Sequence, residues 1–68
     1  MHHNLTPREL DVAKLVVQGL TNPVIAERLG VRPKTVESHL TKVIAKLLIY
    51  KRSELKDKLN EYLKNHKT

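Results

Sequence analysis

The chain has 68 residues, no cysteine, no phenylalanine or tryptophan and two tyrosines. That is room for one small domain with an aliphatic core, and it excludes a disulfide framework and a thiolate zinc site. The formal net charge is +6, and no apolar run approaches a membrane span or a signal-peptide core. Residues 1–4, with their Met1-His2-His3 start, are set aside as a disordered or cloning-derived end.

The chain reads as four helices without strand alternation, repeats or low complexity. Thr6-Pro7-Arg8-Glu9 opens the first. Thr6 is the cap, Pro7 suits the first helical position, and Glu9 completes a capping box. Val12, Ala13, Leu15, Val16 and Leu20 follow helical spacing, and Gly19 is the stop. A second helix over 22–29 is capped by Thr21 or Asn22 and tolerates Pro23, because early amides have no intrahelical partner. Val24, Ile25, Ala26 and Leu29 form its apolar face, and Gly30 ends it. The third helix, about 33–48, starts at Pro33 and carries Val36, Leu40, Val43 and Leu47 at spacings of four, three and four. The fourth, about 53–64, is capped by Ser53 and has Leu55, Leu59, Tyr62 and Leu63 as its stripe. Residues 65–68 read as a loose tail. A short helix, a glycine turn and a longer helix over 21–47 form the outline of a helix-turn-helix, whose second helix can enter the DNA major groove.

Charge is concentrated on that second helix. Residues 1–30 sum to zero, residues 53–68 to plus one, and residues 31–52 hold six cations against Glu37 alone. A basic stripe on one element is the footprint of a polyanion binder, although a merely solvated lysine face has the same composition. If Val36, Leu40, Val43 and Leu47 face the core, then Glu37, Ser38, Thr41 and Lys42 point outward. Lys34, Thr35, Lys42 and Lys46 suit phosphate, since lysine is a flexible point charge carrying little sequence information. Thr35 could equally pack against helix two. Thr21 and Asn22, at a helix start, are further phosphate candidates as well as caps. His39 lies between the core and outward faces with no second ligand at metal spacing, so no metal or cofactor is expected.

Residues Leu5-Thr6-Pro7-Arg8-Glu9, Gly19-Leu20-Thr21-Asn22, Ile25-Ala26, Leu29, Val31, Lys34-Thr35-Val36, His39, Lys46-Leu47 and Arg52 closely resemble the LuxR-type, or NarL/FixJ-type, DNA-binding domain over roughly residues 5–55. The resemblance implies an all-α, four-helix fold of the LuxR/NarL C-terminal effector kind over residues 5–64. It also implies that Glu37, Ser38 and Thr41 read bases and that His39 has a structural or phosphate-contacting role. The chain departs from the family pattern in places. Relatives often carry basic residues at Glu37 and Thr41, glycine at Leu48, Ser or Thr at Arg32 and Glu at Val24. A carboxylate at Glu37 can accept from the cytosine amino group but repels phosphate; pairing with a neighbouring lysine is its other reading. Without glycine at Leu48, helix three is expected to run on toward Tyr50.

The functional expectation is sequence-specific binding of double-stranded DNA by a cytoplasmic, nucleoid-associated bacterial transcription regulator. The resemblance implies that helix four takes part in dimerisation; its apolar stripe, longer than a short exit helix needs, places Leu59, Tyr62 and Leu63 at the shared surface of a homodimer that pairs only on DNA in dilute solution, the alternative being that all of them close the monomer's own core. An upstream receiver or ligand-binding domain and RNA polymerase are implied partners, and the sequence reads either as an excised domain or as a stand-alone regulator. The competing reading is a helical protein-interaction module whose helix-four leucines bind a partner and whose basic face is incidental. No nucleophile–base pair, carboxylate pair or phosphate-cradling loop suggests an enzyme.

Overall fold

A computed structural model describes residues 4–65. They form α1 (Pro7–Val17), α2 (Asn22–Leu29), α3 (Pro33–Lys46), a 3₁₀ turn (Arg52–Glu54) and α4 (Leu55–Asn65), with no strand among the described residues. The capping box at α1 is reciprocal. Thr6 Oγ1 accepts from the Glu9 amide at 3.1 Å, and the Thr6 amide donates to Glu9 Oε1 at 3.0 Å. Thr21 precedes α2 and Arg32 precedes α3 with extended backbones, but neither side chain caps its helix. There, Pro at the helix start presets the dihedral and removes an amide that would need a partner.

The three successive helix exits share one closure. Gly19, Gly30 and Leu48 adopt positive φ, +91°, +69° and +57°. In each case the next amide donates back to the carbonyl five residues earlier: Leu20 to Leu15 at 3.3 Å, Val31 to Ala26 at 2.9 Å and Ile49 to Ile44 at 3.2 Å. This is the Schellman pattern, which normally selects glycine because a Cβ is penalised there. Helix three therefore does not run on to Tyr50; it ends at Lys46, and Leu48 takes the left-handed position itself. The reason is the burial of Ile49, which is 5% exposed. On an uninterrupted helix Ile49 would lie roughly half a turn around from Leu40, facing water. Reversing the chain at Leu48 returns it to the core.

Ser53 does not cap α4 but sits inside the 3₁₀ turn. The entry is held by Glu54, whose Oε1 accepts from the Tyr50 amide at 3.0 Å and the Lys51 amide at 2.9 Å. The core consists of Leu5, Val12, Ala13, Val16, Ile25, Ala26, Val36, Leu40, Val43, Ile49, Leu55 and Leu59. α3 packs on both α1 and α2, and α4 packs on α1. Val24, expected on the apolar face of α2, is 39% exposed; Ile25, Ala26 and the half-buried Leu29 make the contact instead. α4 continues to Asn65. At the other end Asn4 has a structural part, since its carbonyl accepts from Lys46 Nζ at 3.2 Å. The remaining residues assigned to loose ends, 1–3 and 66–68, lie outside the described residues.

Candidate nucleic-acid interface

α3 presents two chemically distinct faces. Val36, Leu40 and Val43 are buried against α1 and α2, while Lys34, Glu37, Ser38, Thr41 and Lys42 are exposed. Residues 34, 37, 38 and 41 follow the i, i+3, i+4, i+7 spacing, so they share one helix face. Glu37 makes no ion pair among the described residues, so pairing with a neighbouring lysine is not seen. It stands as an acceptor-only group in a row of donors and hydroxyls. Thr35 and His39 are half-buried at the flanks of this row, His39 as the sequence places it, between core and outward faces. No cluster of metal-ligating side chains occurs among the described residues.

Lys46, a candidate phosphate contact, is paired within the chain. Its Nζ lies 2.7 Å from Glu9 Oε1, whose side chain is only 4% exposed. Burial pushes the Glu9 carboxyl up, but the hydrogen bond from Lys46, the Thr6 amide and the charges of Lys46 and Lys42 outweigh it. The net displacement is downward. Lys46 thus joins the end of α3 to the start of α1. The excess on residues 31–52 falls by one unit accordingly. Arg32, Lys34, Lys42, Lys51 and Arg52 remain exposed and without ion pairs among the described residues.

Asn22 is also engaged. Its Oδ1 accepts from Arg52 Nη1 at 3.3 Å, and Arg52 Nη2 donates to the Leu20 carbonyl at 3.4 Å. Arg52 therefore ties the segment after α3 to the turn before α2. With Thr21 and Asn22 it lines an open groove of about 490 Å³. The Thr21 hydroxyl makes no cap and is exposed.

Sequence reasoning missed three contacts: Glu9–Lys46, Arg52–Asn22 and Leu5–Tyr62. They join residues 37, 30 and 57 positions apart, and no local pattern reports such pairs. The capping box located Glu9 but carried no sign of its second partner.

The helix-four stripe is largely spent within the protomer. Leu59 is 3% exposed and Leu55 1%, so most of the surface of both is covered within their own chain. Tyr62 and Leu63 are half-buried against the same core, and Tyr62 Oη accepts from the Leu5 amide at 3.0 Å.

The family model for bacterial regulatory proteins of the luxR family matches residues 3–59, spanning all three helices just described and the start of α4. The chain belongs to the luxR family. Its helix-turn-helix, α2 and α3, is a DNA-binding domain of transcription regulation, a family that is not an enzyme class. Three relatives illustrate the match. An HTH-type transcriptional regulator of Mycobacterium bovis is 54% identical over 54 residues, covering 79% of this chain and 6% of its own length. The transcriptional regulatory protein LiaR of Bacillus subtilis is 40% identical over 53 residues, 78% of this chain and 25% of its own. The nitrate/nitrite response regulator protein NarL of Escherichia coli is 42% identical over 52 residues, 76% and 24%. The chain thus spans a quarter or less of the length of these relatives. No solved structure matches it significantly.

Proposed function

We propose that this luxR-family domain reads duplex DNA through α3, with Glu37, Ser38 and Thr41 against base edges in the major groove. Lys34, Thr35 and Lys42, with Thr21 at the start of α2, hold phosphates on either side. The observation that carries this is the single exposed row on α3, backed by Val36, Leu40 and Val43 and flanked by uncompensated cations. Donors and hydroxyls at one helical face match the chemistry of groove edges, while the flanking charges supply affinity and register. Asn22 and Lys46 act one step back, Asn22 held by Arg52 and Lys46 by Glu9. The domain works as a cytoplasmic bacterial transcription regulator on paired half-sites, joined to regulatory segments or to RNA polymerase as its larger relatives suggest. The other reading, a partner-binding stripe on α4, loses Leu55 and Leu59 to the core.

Selection of bound sequences from a random duplex library tests the reading, because it reports binding and half-site together. Thr41→Ala and Glu37→Ala then change which base is preferred at one position, with discrimination on the order of 1–3 kcal/mol. An unchanged preference in both variants rules out this reading face.

A further inference from the structure

Glu37 is the only acidic residue of α3. It shares an exposed face with Lys34, Ser38 and Thr41, and Lys42 is exposed beside them. Its side chain makes no ion pair or hydrogen bond among the described residues, so the fold makes no use of its charge. We propose that Glu37 selects a cytosine at one position of the half-site by accepting the free proton of its 4-amino group, and that methylation of that amino group blocks binding. The inference rests on the DNA-reading function proposed above and names the base and the modification that the site discriminates.

The choice of base follows from hydrogen-bond chemistry. An ionised carboxylate only accepts. In the major groove guanine offers the acceptors N7 and O6, and thymine the acceptor O4. Both repel a carboxylate. Adenine has an amino donor, but its N7 acceptor lies beside it. Cytosine offers its 4-amino group with no acceptor on the same base edge, and is therefore the base that a lone carboxylate fits. That amino group has two protons. One is held in the Watson–Crick pair, and the other points into the groove. A methyl group on the nitrogen takes the groove-side position, because the base pair needs the other proton. The modification thus removes the donor and sets a methyl against the carboxylate. A methyl on C5 of the same ring leaves the amino proton in place.

A basic surface sharpens the choice. Arg32, Lys34 and Lys42 are exposed without ion pairs among the described residues, and such cations attract any duplex through its phosphates. Glu37 lies among them in the N-terminal half of α3, the half that meets base edges when a recognition helix enters the groove. There its charge opposes the phosphates of every duplex. A groove that offers no donor leaves it desolvated and unpaired, at a cost. A matching amino group offsets that cost. Specificity then comes from the penalty on wrong sequences as much as from the bond to the right one. Glu37 lowers affinity for duplexes in general and restores it at one base. A glutamate that served only helix stability or solubility would do neither.

The experiment measures duplex binding by the parent chain and by Glu37→Gln, which keeps the shape and removes the charge. Selection from a random duplex library first reports the parent's half-site. Duplexes then carry each base pair in turn at every position of it, with N4-methylcytosine or 5-methylcytosine in place of its cytosines. The expected result is one cytosine whose replacement or N4-methylation weakens parent binding about fivefold or more, while 5-methylation there does not. Glu37→Gln loses that discrimination and moves the preference towards adenine, whose N6 and N7 pair with a side-chain amide. It also binds duplexes lacking the half-site more tightly than the parent does. The methylated duplexes need no variant and decide the point by themselves if Glu37→Gln unfolds in a thermal melt. A cytosine preference that survives intact in a folded Glu37→Gln chain, or N4-methylation tolerated at every cytosine, overturns the proposal and leaves the DNA reading standing. A parent that selects no sequence overturns both.

Discussion

Leu48 and Glu9 show how single residues take on roles their types do not announce. Leu48 occupies the position that Gly19 and Gly30 fill at the two preceding helix exits, and pays the left-handed penalty of about 1–2 kcal/mol. Leu48→Gly removes that strain, while glycine's extra unfolded-state freedom takes back about 0.5–1 kcal/mol. The net expectation is a stabilisation of a few tenths to about 1 kcal/mol, read as a higher urea midpoint at unchanged m. An unchanged or lower midpoint contradicts the strain assignment. Glu9 has the opposite character, a buried carboxylate held by Lys46 and Thr6. Because its folded carboxyl ionises more readily than the unfolded one, the folded state binds fewer protons. The stabilisation is complete above the unfolded value and is lost as pH falls through the lowered folded value. Glu9→Gln keeps an acceptor for Thr6 but loses the charge pair. It should cost about 1–3 kcal/mol at neutral pH and flatten the acid limb of a stability–pH curve. A limb as steep as the parent's means that other carboxylates govern acid unfolding.

At the scale of elements, α4 acts as a clasp rather than a free stripe. Its Leu55 and Leu59 fill the core against α1, and Tyr62 accepts the Leu5 amide just ahead of the capping box. The residue ahead of the α1 cap is thereby fastened to α4. Tyr62→Phe keeps the ring and removes the hydroxyl, leaving a partly buried amide without that acceptor. A loss of about 1 kcal/mol is expected, with faster hydrogen exchange at Leu5 and in the first turn of α1. Unaltered exchange there shows that the contact holds nothing. The same clasp covers most of the surface of Leu55 and Leu59 within the protomer.

For the whole molecule, function follows from the separation of cations that are committed and cations that are free. Lys46 is neutralised by Glu9 and Lys58 lies 3.9 Å from Glu61, whereas Arg32, Lys34, Lys42, Lys51 and Arg52 have no ion pairs among the described residues. Duplex affinity should therefore fall steeply with salt, with a log-log slope near −0.9 for each neutralised phosphate. Lys42→Ala should shallow that slope by about one unit without altering base preference. Lys46→Ala should act mainly on stability, by leaving Glu9 buried without its cation. Titrations over a salt series, run beside urea melts, separate the two. A Lys46→Ala chain that is fully stable yet shallower in slope returns Lys46 to the phosphate-contacting group.

The four helices, the capping box at Thr6, the two glycine stops and the outward row on α3 were all legible in the sequence. They rest on local rules, since a cap, a turn or a helical period involves residues within about one or two turns of each other. The family was legible for a related reason, because its motif is a long ordered string of such local features. The tertiary structure alone decided where α3 ends, which lysine is paired, what Arg52 holds and which leucines are covered. Each of these depends on contacts between distant residues. Ile49 entering the core forces the left-handed turn at Leu48, Glu9 reaching across the bundle captures Lys46, and α1 covering Leu59 removes it from the surface. Local propensity is silent on such contacts, because burial and pairing are settled only when the elements pack.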